Sequence, residues 1–135
     1  MPSVRVLGNP FPLEQKREMG RLLAADLKRV LKVPIGEVFF EEFDEYYVDF
    51  RGFSIHDGND EPGAVTLVIN GPAREQAVLQ ELCAALTSSV RSVAGKPDFE
   101  VTTVYHVITG DYIGTNGMIH SLSGKGQPKG AKVIL

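Results

Sequence analysis

Apolar residues recur along this chain with two different periods, and the order in which those periods alternate predicts its architecture. From Ser3 to Leu7 apolar and polar side chains alternate, the period of a half-buried strand, and Asn9-Pro10-Phe11-Pro12 then interrupts the pattern. Met19, Leu22, Leu23, Leu27, Val30 and Leu31 follow at three- and four-residue steps. Lys16, Arg17, Arg21, Lys28 and Arg29 fill the gaps, so the apolar set occupies one face of a helix. Pro12 suits the first turn of that helix, where its missing N–H is no loss. Pro34 restricts Val33 to extended backbone and so ends it. Val38-Phe39-Phe40 and Tyr46-Tyr47-Val48-Asp49-Phe50 are aromatic and β-branched segments with strand character.

The same order then returns. Ala64 to Ile69 is an almost unbroken apolar run, as expected of a strand covered on both faces, and Asn70-Gly71-Pro72 punctuates it. Leu79, Leu82, Cys83, Leu86, Val90 and Val93 keep helical spacing, with Gly95 placed to cap the end and Pro97 just beyond. Phe99, Val101, Thr103, Tyr105 and Val107 then mark one side of a last long strand. The pattern predicts an α+β fold of two consecutive βαβ units, 1–59 and 60–117, forming a four-stranded mixed sheet with two helices on one face. The other face is left bare and is expected to expose Phe, Tyr and Val, a patch that favours a cyclic oligomer, most simply a homotrimer with the sheets turned inward. Residues 118–135 form a Gly/Lys-rich segment. They read as a mobile tail with a short apolar end, Ala131 to Leu135, able to add an edge strand to a neighbour.

Length and charge narrow the function. At 135 residues the chain fits a single domain, and folding at this size buries roughly two-thirds of the unfolded chain's surface. A net charge of −3 offers no electrostatic footprint for nucleic acid or an anionic membrane. Cys83, the single cysteine, lies on an apolar helical stripe and reads as a small core residue in a reducing compartment. No basic-then-apolar leader opens the chain and no apolar run approaches the ~20 residues of a membrane span, so a cytoplasmic protein is expected.

The candidate chemistry starts at Pro2. Removal of Met1 would expose a secondary amine; a terminal amine titrates near pH ~7.7–8.0 and burial lowers that further, which makes a general base at neutral pH. Arg74, read as part of the first turn of the second helix, is a candidate for gripping a substrate carboxylate together with nearby backbone N–H groups. Tyr105 and His106 alternate across the last strand, so only one of them faces a given side, and an imidazole can titrate near neutral pH. His56-Asp57 and His120 lack metal-ligand spacing, so neither a metal nor another cofactor is expected. Glu41-Glu42 with Asp44-Glu45 reads as a solvated edge that discourages aggregation. Ser123-Gly124-Lys125-Gly126 lacks the earlier glycine and the hydroxyl residue of a phosphate loop.

Pro2 directly after Met1, the strand 3–7, a helix ending in Lys32-Val33-Pro34, a second βαβ unit and Gly110-Asp111-Tyr112-Ile113-Gly114-Thr115-Asn116-Gly117 together resemble the tautomerase superfamily. The resemblance spans about residues 2–117. Val68-Ile69-Asn70-Gly71-Pro72-Ala73-Arg74-Glu75-Gln76 is most similar to the malonate semialdehyde decarboxylase and cis-3-chloroacrylic acid dehalogenase members, whose second helix begins with arginines that hold a carboxylate. The resemblance implies that Pro2 acts as base in keto-enol transfer, or as acid in hydratase-type chemistry, on a small carboxylate-containing substrate. It implies Arg74 as the carboxylate ligand, although Gly71 and Ala73 stand where relatives tend to place the arginine pair. Glu37 stands where the decarboxylase has an acidic residue, Tyr112 near its late aromatic, and Lys32 matches a lysine before proline in the macrophage migration inhibitory factor branch. Pro2, Arg74 and Glu37 are thus the catalytic candidates, and Lys32, Tyr105, His106 and Tyr112 those expected to contact substrate.

Overall fold

Strand alternation decides which side chains share a face, and in this chain it sorts them cleanly. The computed structural model describes residues 2–8, 10–43, 48–52, 54 and 63–123. Its elements run β1 (Ser3–Gly8), α1 (Leu13–Leu31), β2 (Glu37–Glu42), β3 (Ala64–Gly71), α2 (Gln76–Ala94) and β4 (Glu100–Val107). The strands form one sheet in the order β2-β1-β3-β4. β1 and β2 are parallel, β3 and β4 are parallel, and β1 meets β3 antiparallel at the centre. This is the expected mixed sheet built from two βαβ units.

Register sets the layers. Val38, Val4, Ile69 and Tyr105 lie in one transverse row, and Phe40, Val6, Leu67 and Thr103 in another two residues along. These rows meet Met19, Leu23, Leu27, Val30 and Leu31 of α1 and Leu82, Leu86 and Val90 of α2 in a single core. Burying each leucine stabilises by roughly 1.5–3 kcal/mol, so both helices are held by their apolar stripes more than by propensity. Phe11, before α1, and Phe99, before β4, close one end of this core with ring centroids 5.9 Å apart. A bond from Ser89 Oγ to Asp26 Oδ2 of 2.6 Å ties α2 to α1.

Several expectations shift. Pro12 is the N-cap of α1, and the helix starts at Leu13. Cys83 is only partly buried, because it sits beside the inward stripe of α2 and lines a shallow depression on the helix's outer side. Val48, Asp49 and Phe50 are not strand: the buried Asp49 carboxylate accepts the Arg51 backbone N–H, and the Asp49 carbonyl accepts that of Gly52, which makes a turn. Glu41 and Glu42 are not left to solvent; Glu41 pairs with Arg5, which holds its carboxyl below the usual range, and Glu42 takes Lys16 Nζ and the Phe11 N–H. Residues 118–123, at the start of the segment read as a tail, are folded. Met118–Ile119 (β6) pairs with Gly114–Thr115 (β5), and the short α3 (His120–Ser123) buries His120 against Thr115, whose Oγ1 lies 2.7 Å from Nε2. Met1, Asp44, Glu45, Tyr46, Tyr47, His56, Asp57, 124–126 and 131–135 lie outside the described residues.

The uncovered face is mixed in character. Phe39 and Val104 are exposed there, as expected, but Tyr105 points to the helices, and Arg5 and Glu41 bring an ion pair onto it.

Candidate active site

β1 and β2 begin, and β3 and β4 end, at the same end of the sheet, so the topology gathers there residues far apart in sequence. Pro2 is buried immediately before β1, and its carbonyl accepts the Glu37 N–H at 3.2 Å. The pairing of Ser3 with Asn70 carries Pro2 alongside Gly71, whose own carbonyl accepts the N–H of Ile108 at 2.8 Å. Glycine is required at 71 by space. A Cβ there would lie 2.5 Å from the Tyr105 hydroxyl and 3.6 Å from Cδ1 of Leu31.

Tyr105 explains that crowding. Its ring packs against the core and its hydroxyl donates to the Pro72 carbonyl at 2.6 Å. Burial pushes the phenol up to about 12, against the pull of the Arg74 cation, so it stays protonated at neutral pH and acts as a donor. Arg74 itself is not in the first turn of α2. It precedes the N-cap Glu75 and reaches back across the site, donating from Nη2 to the Leu31 carbonyl at 2.9 Å and from Nη1 to Ala73 at 2.9 Å. A helix leaves its last carbonyls without partners and carries partial negative charge at that end, so the guanidinium is drawn to the C-terminus of α1. Two of five N–H groups are named there; the others have no acceptor among the described residues and remain able to meet an anion.

The other expected residues fall into two groups. Lys32, in left-handed conformation at the end of α1, and Glu37, at the start of β2, are exposed at this same end of the sheet. His106 is one residue from Tyr105 but faces the uncovered side. Tyr112 stands in the turn Gly110–Tyr112 beyond β4 and is 78% exposed. Sequence reading missed Ser3 and Asn70. They stand between Glu37 and His106 in a transverse polar row, Glu37-Ser3-Asn70-His106, visible only from register. The two shallow depressions along the outer side of α2 involve none of the expected residues.

No helix among the described residues is long and apolar enough to cross a membrane. No protein-family model and no curated protein matches the sequence. Solved structures do match in fold. A native fused 4-OT is 20% identical with a TM-score of 0.76, covering 91% of this chain and 99% of that one. N1, a member of the cis-3-chloroacrylic acid dehalogenase family, is 19% identical with a TM-score of 0.70, covering 87% and 82%. A fused 4-OT solved as a symmetric trimer is 18% identical with a TM-score of 0.69, covering 91% and 99%. With its doubled βαβ sheet and the proline at the head of β1, the chain has the fold of the tautomerase superfamily, to which these structures belong.

Proposed function

We propose that this protein is a tautomerase-like enzyme that moves a proton on a small 2-oxo acid, with Pro2 as general base once Met1 has been removed. The carrying observation is the position of Pro2, buried at the head of β1 beside Gly71 and the loop that bears Arg74. The amine takes the proton from the carbon next to the ketone, the C–H electron pair moves onto the ketone oxygen, and return of the proton to that oxygen gives the enol. Burial keeps the amine neutral and so able to accept. The remaining Arg74 N–H groups hold the substrate carboxylate, Lys32 adds positive charge at the rim, and Glu37 and Tyr112 flank the entrance. Tyr105 holds the loop that carries Arg74 and is expected to touch substrate through its ring. The symmetric trimer of the fused 4-OT supports a homotrimer, in which a neighbouring copy would complete the enclosure around Pro2.

Phenylpyruvate enol-keto conversion tests this reading. Pro2→Ala is expected to slow it by about 10²–10⁴-fold, and equal rates for the two proteins would discard it. The fold shared with N1 favours a second reading, in which protonated Pro2 is the acid for hydration, dehalogenation or decarboxylation of a three-carbon acid. That version requires an amine still protonated above neutrality, so an NMR titration midpoint below pH 7 contradicts it. Retention of Met1 in the intact mass would block the amine and turn the assignment to a non-catalytic binding module.

A further inference from the structure

The transverse row Glu37-Ser3-Asn70-His106 ends in a carboxylate on one outer strand and an imidazole on the other. Both end groups are exposed, and neither has a hydrogen bond or ion pair among the described residues. The other carboxylates of β2's second half are already engaged, Glu41 by Arg5 and Glu42 by Lys16. The next row along the same face, Phe39-Arg5-Val68-Val104, ends in exposed apolar side chains at both edges. The row after it ends in Glu41, neutralised by Arg5, and Thr102. One edge of the sheet is therefore the chemical complement of the other.

We propose that β2 of one copy of this chain docks beside β4 of the next, with Glu37 paired to His106 of that copy and Phe39 against its Val104. β2 runs parallel to β1, whereas β4 runs antiparallel to it, so continuing the sheet from one copy to the next sets the two edges antiparallel and keeps the rows aligned. Register is selected by chemistry. A slip of two residues, which preserves the faces, would set Glu37 against Val104 or Phe39 against His106 and lose both matches. The contact is head-to-tail, so it generates a ring when the rotation closes. Because the Glu37 N–H bonds Pro2, the seam brings His106 of the next copy to the end of the sheet where Pro2 lies. This inference rests on the homo-oligomer of the preceding reading and adds its contact residues.

The test is charge reversal and exchange, read by sedimentation velocity across protein concentration. Glu37→Lys and His106→Glu are each expected to weaken assembly. An edge contact is worth up to about fivefold, and three equivalent seams per ring multiply that to about a hundredfold in the overall trimer constant. The double variant Glu37→Lys/His106→Glu is expected to recover most of the loss. Unchanged assembly in both single variants, a double variant as weak as the two losses combined, or a monomeric wild type would each overturn the seam. Circular dichroism of each variant separates unfolding from dissociation, and a variant that unfolds is replaced by Glu37→Gln or His106→Gln, for which the same direction is expected. Turnover of phenylpyruvate is scored separately: an assembled but inactive wild type would sink the proton-transfer reading and leave the seam standing.

Discussion

The two halves of the chain end their helices in the same way but by different means. α1 and α2 are each 19 residues long, and each stops at a residue in left-handed conformation whose N–H bonds back to the last turn. In the second half that residue is Gly95, with φ of 68° and open space around it. In the first half it is Lys32, with φ of 57°, where a side chain costs about 1 kcal/mol. The first half compensates through the second: Arg74 bonds the Leu31 carbonyl, and Tyr105 fixes the loop that carries Arg74. α2's last turn is supported from within its own unit, by Arg91 Nε on the Phe99 carbonyl. A helix end that borders the candidate site is thus held by long-range contacts, and its remote counterpart by a local residue choice.

Substitutions can break this asymmetry in order of severity. Gly71→Ala forces a Cβ into the Tyr105 hydroxyl and is expected to cost about 1–3 kcal/mol in urea unfolding, more than any other change named here. The penalty should shrink in a Tyr105→Phe background, where the hydroxyl is gone. Arg74→Met removes the cation from the end of α1 and is expected to cost about 1.5 kcal/mol in the same measurement, along with the proposed grip on a carboxylate. The two caps give opposite signs in thermal unfolding: Gly95→Ala is expected to lose about 1 kcal/mol, and Lys32→Gly to gain about 0.5–1 kcal/mol. The smallest effect is in pH. Because the Tyr105 phenol is raised from 10.0 to about 12 on folding, the native chain keeps a proton that the unfolded chain releases. Stability should fall as pH rises from about 10 toward 12. Tyr105→Phe, compared by urea unfolding at pH 9 and pH 11, should reduce that slope.

Parts of the site were legible from the residues alone. Pro2 at the head of an alternating strand and Arg74 near the second helix are local features, and the structure brings both to one end of the sheet. Tyr105 and His106 were known to face opposite ways from the two-residue period. Which of them faced the helices was not, because Val101, Thr103 and Tyr105 are no more apolar as a set than Val104 and Val107 are as neighbours. The orientation was decided by Phe99 docking on Phe11 and by the register with Ile69. The run Tyr46 to Phe50 misled for a related reason: β propensity measures fit to a half-buried surface, and the buried Asp49 carboxylate organises a turn instead.

Sequence by itself determined the two periods, their order, and hence a doubled βαβ chain with helices on one face, since hydrophobic burial acts on patterns that are written locally. Tertiary structure alone decided the register. It aligned Glu37, Ser3, Asn70 and His106 across four strands, sent Arg74 to the end of α1, and made Gly71 irreplaceable beside Tyr105. Those outcomes depend on contacts between residues about thirty or more positions apart. Steric fit and unpaired backbone groups set them, and neither leaves a trace in the period of a single segment.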